Sequence, residues 1–310
     1  MMTLQCTRRG LLAPLIVVLF AAAARGADEF PRELVEFQPY PGNPVFTAAG
    51  PGHWDVKIRE RGWILREEKG WRMWYTGYDG TSEGIRRLGY ATSADGIVWK
   101  RAGDAPQISD LWVEDVQVLR HGTGYLMFAE GERDRAQCLT SPDGLTWKRE
   151  GTLDIRRADG QPISDGPFGT PAVWDEGGRW YLFYERGDQG VWLARSDDLK
   201  LWTNVQDEPV LTLGPDPYDS VMIAANQIVR HDNRYYIYYH GTGSREKPRV
   251  WSTNVAVSTD LIHWKKFAKN PLLPERDNKS SGFLVHDGTQ YRLYTTHDKV
   301  DVHLPVGRAE

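Results

Sequence analysis

The sequence predicts an all-β chain, a five-bladed β-propeller whose ring is closed by an N-terminal strand. Three observations predict it. A hairpin phrase of the form Ser-x-Asp, three residues, then Trp occurs four times: "SADGIVWKR" from Ser93, "SPDGLTWKRE" from Ser141, "SDDLKLWTN" from Ser196 and "STDLIHWKKF" from Ser258. The copies lie 48, 55 and 62 residues apart, the spacing of propeller blades rather than of shorter solenoid turns. An aromatic strand precedes each copy, and a fifth aromatic strand has no hairpin after it.

Each element follows from local chemistry. Asp with Gly, or Asp with Leu, makes the hairpin turn and the Trp opens the next strand. The aromatic strands are "WRMWYTG", "GYLMFAEG", "RWYLFYERG", "RYYIYYHGTG" and "QYRLYTTHD". Before each stands another apolar strand and a turn: "WILREEKG", "VQVLRHGTG", "PAVWDEGG", "NQIVRHDN" and "GFLVHDGT". Alternating β-branched and aromatic residues dominate, without helical periodicity. Five units of about four strands result, the last lacking its outer strand. The segment "VEFQPYPGNPVF" is placed to supply it and so leave no open sheet edge.

Residues 1–26 stand apart from the fold. Arg8 and Arg9 precede an apolar run from Leu11 to Ala24 and then small residues, the form of a secretory signal peptide. "TRRGLL" also has the form of a twin-arginine export signal. The alternative is a retained N-terminal anchor. The expectation is an exported bacterial protein, periplasmic or extracellular, with residues 27–310 as one propeller domain and no stable membrane association after signal removal. Cys138 is then the only mature cysteine, which excludes an internal disulfide and argues against a thiol metal cluster. A net charge of -4 without a basic tract gives no reason to expect a nucleic-acid partner. Thirteen tryptophans suit a β core and a carbohydrate surface alike.

Chemistry in a propeller gathers where first strands begin and second strands end, at one mouth of the axis. Counting back 16 or 17 residues from matching positions of the aromatic strands reaches Asp55, Asp165 and Asp219; blade two offers Glu114 and Asp115. Second strands end near Glu130, Glu185, His240 and His297. Carboxylates crowded on an axis raise one another's pKa and can give a proton donor beside a base. Each member also has a plain reading: a loop-capping Asp, an ion pair for Asp115 or Glu185, a satisfied core histidine for His240. Trp99, Trp147, Trp202 and Trp264 read as packing between blades. Trp54, Trp112 and Phe168 stand beside the acids and suit stacking on a sugar, with Thr170 and Asn226 as further substrate contacts.

The phrases "WYTGYDG…LGYATSADGIVWKR", "WYLFYERGDQGVWLARSDDLKLW" and "STDLIHWKKFAKNPLL" resemble the five-bladed β-propeller glycosidases of glycoside hydrolase families 43, 32, 117 and 130. The resemblance spans nearly all of the mature chain and specifies fold more than substrate. It implies a carbohydrate substrate, with Asp55 in the blade-one role of base and Asp115 as the blade-two acid. Thr170 stands where family 43 carries its donor Glu, so the donor passes to Asp165 or Asp219, and the histidine donor of family 117 keeps His240 in play. Acids drawn from different blades favour the wide spacing of an inverting hydrolase, with Asp115 setting pKa and holding a hydroxyl. Short loops suggest a compact pocket acting on chain ends.

Rivals are phosphorolysis, for which Arg59, Arg61 and Arg186 form no tight cluster in the sequence, and a sugar-binding propeller without catalysis. A sialidase-like reading fails on a hairpin one residue too short. No cofactor is expected; a structural calcium ion would suit an acidic axis, though no ligand spacing demands one.

Overall fold

The computed structural model describes residues 29–247, 249–274 and 280–307. The expected signal peptide lies outside them. Among the described residues, no helix is long and apolar enough to cross a membrane.

The chain begins with a four-residue helix α1 (Arg32–Val35) and two short strands, β1 (Phe37–Pro39) and β2 (Phe46–Thr47). Blade one is β3 (Lys57–Glu67), β4 (Gly70–Tyr78), β5 (Arg87–Ser93) and β6 (Trp99–Arg101). Blade two is β7 (Glu114–His121), β8 (Gly124–Gly131), β9 (Arg135–Ser141) and β10 (Lys148–Thr152). Blade three has six strands: β11 (Asp154–Arg156), β12 (Ala172–Glu176), β13 (Arg179–Glu185), β14 (Gly190–Ser196), β15 (Leu201–Asn204) and β16 (Leu211–Thr212). Blade four is β17 (Met222–His231), β18 (Arg234–Thr242), β19 (Ser252–Ser258) and β20 (Lys265–Lys266). Blade five is β21 (Gly282–His286), β22 (Tyr291–Thr296) and β23 (Lys299–Pro305).

Blade five is completed from the N-terminus. β1 pairs antiparallel with β23, Gln38 opposite Leu304, and β2 pairs with the other end of β23. The five sheets with this closure are the propeller that the repeats predict.

The four hairpins serve as latches between blades. In each, the Asp carboxylate accepts backbone N–H groups two and three residues on, as Asp143 does from Leu145 and Thr146 at 2.8 Å each. Gly96 and Gly144 hold the left-handed turn position at φ 76°, and their carbonyls accept from the preceding blade. Trp74 Nε1 donates to Gly144 O at 2.8 Å, and Tyr294 Oη donates to Gly96 O at 2.9 Å, the latter joining blade five to blade one. Three of the hairpin tryptophans meet an aromatic of the blade before them edge-on: Trp147 on Trp74, Trp202 on Phe128 and Trp264 on Phe183, with centroids 5.9–6.3 Å apart. These contacts bury apolar area where two sheets splay, which is how radial packing holds without a shared sheet.

Candidate functional site

The inner strands deform where they approach the axis, and that deformation builds the site. β3, β7 and β17 each carry an irregularity in their pairing with the next strand. Glu60 and Asp115 lie at the irregularities of β3 and β7, Thr170 and Ser281 just before β12 and β21, and the four adopt positive φ of 56°, 48°, 44° and 55°. With Asn226 at the β17 irregularity they form one ring position spaced 55, 55, 56 and 55 residues apart. Non-glycine residues held in the left-handed region cluster at functional sites, where surrounding structure maintains the strain.

Arg61 spans the axis beneath this ring. It is fully buried. Its Nη1 donates to Ala225 O and Asn226 O at 2.9 Å, its Nη2 to Asp115 O at 2.6 Å and Pro171 O at 2.5 Å, and its Nε to Val116 O at 3.3 Å. One guanidinium from blade one therefore ties blades two, three and four. Burial pushes it down to about 10, against the charges of Asp115 and Glu130, so it stays cationic at neutral pH. This side-chain cation fills the axis beneath the ring. Among the described residues, no group of three or more His, Cys, Asp or Glu side chains is placed to hold a metal ion.

Above the ring opens a cavity of about 750 Å³. Its wall carries Glu60, Glu114, Asp115, Glu130, Asp134, Glu185, Asp188 and Asp298, with the cations Lys57, Arg59, Lys247 and Arg249 and the histidines His240 and His297. The acids divide into two electrostatic kinds. Burial acts to raise Glu60, but His297, its Nδ1 3.5 Å away, and Arg59 outweigh it and hold the carboxyl well below the usual range. Glu60 is ionised. Asp115 is pushed up to about 7 by burial and then by the charge of Glu60, against Arg61, whose backbone N–H donates to its Oδ1 at 3.2 Å. Burial, then Glu60, raises Glu114 to about 8, although Arg59 lies 3.3 Å from it. Burial, reinforced by Asp115 and Glu114, raises Glu130 well above the ordinary value. Glu130 Oε2 accepts from Thr170 N at 2.8 Å and from its hydroxyl at 3.3 Å. Glu185 is also raised by burial, and its Oε1 accepts from Gly169 N at 3.0 Å. Burial pushes His240 down to about 3, so the ring is neutral and donates from Nδ1 to Asn226 Oδ1 at 2.7 Å.

Of the residues expected from sequence, Glu114, Asp115, Thr170, Glu185 and His240 line this cavity. The other three expected catalytic acids do not. Asp55 is buried one layer out, accepting from Tyr75 Oη at 3.2 Å and Arg101 Nε at 3.0 Å. Asp219 repeats the arrangement in blade four, accepting from Tyr239 Oη at 2.9 Å and Lys266 Nζ at 2.6 Å. Glycines 77 and 241 let these loops close: a Cβ at either position would stand 2.7 Å from the aspartate's own Cβ. Both aspartates are anchors that pin the loop before an inner strand to its own sheet. Asp165 is exposed on a loop, where its carbonyl meets Arg186.

The expected sugar-stacking aromatics also face elsewhere. Trp54 stacks on Tyr75 at 5.8 Å, Trp112 carries the Arg86 guanidinium 4.8 Å from its ring, and Phe168 is buried beneath Arg135. Asn226 is fully buried and acts through His240 and through its bond to Gly282 O at 3.1 Å.

Sequence reasoning passed over Glu60, Asp134, Asp188, Lys247, Arg249, Trp251 and Asp298, and gave Glu130, Arg59 and His297 only passing places. The 55-residue spacing of the ring position was the signal available for Glu60 and Asp115.

No family model matches the chain. In sequence it is 27% identical over 245 residues to the 1,2-β-oligomannan phosphorylase of Thermoanaerobacter sp. (strain X514), covering 70% of this chain and 77% of that one. In structure it is similar to a glycosyl hydrolase from Bacteroides ovatus, with a TM-score of 0.72 and 17% identity, over 88% of this chain and 94% of that one. It is also similar to the β-1,2-mannobiose phosphorylase of Listeria innocua, solved with β-1,2-mannobiose, with a TM-score of 0.62 and 14% identity, over 87% of this chain and 96% of that one. The fold is that of the five-bladed β-propeller glycosidases. Within that fold, the sequence relative supports a glycoside-processing role.

Proposed function

We propose that this chain hydrolyses glycosidic bonds at a terminal sugar seated in the axial cavity, with inversion at the anomeric carbon. The observation that carries the reading is the division among the carboxyls: Glu60 held ionised beside Asp115 held near neutrality in one cavity. A water activated by Glu60 would attack the anomeric carbon while Asp115 protonates the leaving oxygen. A donor whose pKa lies near the working pH gives the best product of protonated fraction and acidity. Glu130, which burial shifts toward its protonated form, has an O–H to offer a substrate hydroxyl. Arg61 across the axis and a cavity of a few hundred cubic ångströms, the size that encloses a small ligand, support action on chain ends. The basic and apolar start of the sequence supports export.

A second reading is phosphorolysis, favoured by the oligomannan phosphorylase relative and by Arg59, Lys247 and Arg249 on the wall. Glu60, held ionised on the same wall, weighs against a dianionic nucleophile. The test is cleavage of an oligosaccharide panel with and without inorganic phosphate, with product anomers followed by NMR. Hydrolysis requires phosphate-independent release of a free sugar, and its inverted configuration marks the inverting course. A sugar 1-phosphate formed only when phosphate is present would replace it with phosphorolysis. Asp115→Asn and Glu60→Gln should each lower kcat by roughly 10²–10⁴; wild-type turnover in either variant would remove that residue's role.

A further inference from the structure

The connection between β18 and β19 contains "KPRVW", residues 247–251, and three of its residues line the cavity: Lys247, Arg249 and Trp251. They are alternate residues, and Val250 between the last two is 46% exposed. Four other cations around the axis are matched. Arg59 meets Glu60 and Glu114, Arg101 meets Asp55, Lys266 meets Asp219, and Arg61 meets five carbonyls. Among the described residues, neither Lys247 nor Arg249 has a hydrogen-bond or ion-pair partner. The Nε of Arg249 is nevertheless shielded from solvent. A guanidinium nitrogen kept from water without an acceptor is costly, and it asks for an oxyanion. Trp251 stands beside it, its ring 5.1 Å from His240 and edge-on to it.

We propose that Lys247, Arg249 and Trp251 form a subsite for a sugar that carries its own carboxylate, so that the preferred substrate ends in a uronic acid. The proposal rests on the glycoside-binding reading of the cavity and deepens it. A planar carboxylate matches the guanidinium fork, and an indole supplies a face or edge for the pyranose ring. Asp188, whose charge Arg249 feels, is pushed up to about 7 by burial and then by Glu185, so it only partly neutralises the arginine at neutral pH. A monoanion suits this place better than inorganic phosphate because Glu60 is held ionised on the same wall and repulsion grows with ligand charge.

The test titrates the purified chain at pH 7 with D-glucuronate, D-galacturonate, D-glucose, D-galactose and inorganic phosphate, by calorimetry or ligand-observed NMR. At least one uronate should bind tenfold or more tightly than its parent hexose, with a preference that weakens as salt is raised. Arg249→Met should abolish that preference, and Arg249→Lys, which keeps the charge and loses the fork, should keep part of it. The wild-type comparison stands alone should a variant fold poorly. Equal binding of uronates and hexoses would overturn the carboxylate subsite and leave the glycoside reading intact. Tight phosphate binding lost in Arg249→Met, without any uronate preference, would assign the cations to phosphate and overturn it too. Failure of every sugar to bind would bring down the glycoside reading itself.

Discussion

Replacing Arg61 by methionine removes the guanidinium and leaves a side chain of similar reach in the same channel. Five carbonyl bonds are lost, from Ala225, Asn226, Asp115, Pro171 and Val116, across three blades. Each buried carbonyl left without a partner costs about 1–3 kcal/mol. Water entering the vacated channel re-satisfies some of them, so the net loss is about 3–5 kcal/mol, well below the sum. Exchanging a buried ion pair for apolar side chains is often neutral, but that result depends on removing both partners. Here the carbonyls belong to the backbone and stay. For a domain of this size the loss corresponds to a fall in Tm of roughly 6–20 °C. Differential scanning calorimetry reads it directly. A Tm within about 2 °C of wild type would mean that the ring holds by its interblade packing and that Arg61 is incidental to it.

Three further outcomes follow from the same contacts. Asp219→Asn leaves Lys266 with only the carbonyls of Thr212 and Gly214, and should cost about 2–4 kcal/mol in chemical denaturation; kcat per folded molecule should stay near wild type, and likewise for Asp55→Asn, whereas a thousandfold loss of kcat in either would return that aspartate to the chemistry. Asp115 and Glu114 have folded-state pKa values near 7 and 8, above their unfolded values, so the folded state holds more protons between about pH 4 and 8. Stability from these groups is therefore fully present below about pH 4, lost progressively as pH rises, and gone above about pH 8, and Glu114→Gln should flatten the decline of Tm with pH; a Tm that climbs between about pH 5 and 8 contradicts the assignment. With Asp115 as donor, kcat/KM should fall as pH rises through about 7, and a profile flat from pH 5 to 9 would move the donor elsewhere.

The fold was legible because its signals are local and repeated. A Ser-x-Asp turn needs only its own backbone to satisfy it, and its tryptophan needs only an aromatic strand next door, so four copies of the phrase carry the blade count. The missing hairpin in blade five led correctly to the N-terminal strand, because an unpaired sheet edge must be covered. The site was legible only in part, because position around an axis is not a local property. Asp55 and Asp219 were found by their distance from the aromatic strands, and that distance is real. It belongs to loop anchoring: each aspartate meets the tyrosine 20 residues on and a base from the outermost strand of its own blade. The residues that reach the cavity come about five positions later, at the backbone distortion, where the pleat's simple alternation fails. Asp115 was reached because blade two carries its acid at the ring position, while blade one holds Glu60 there, blade three Thr170 and blade four Asn226. What marks the ring is its period of about 55 rather than its chemistry, and the chemistry that differs around it is what separates an ionised carboxylate on one blade from one poised near neutrality on the next.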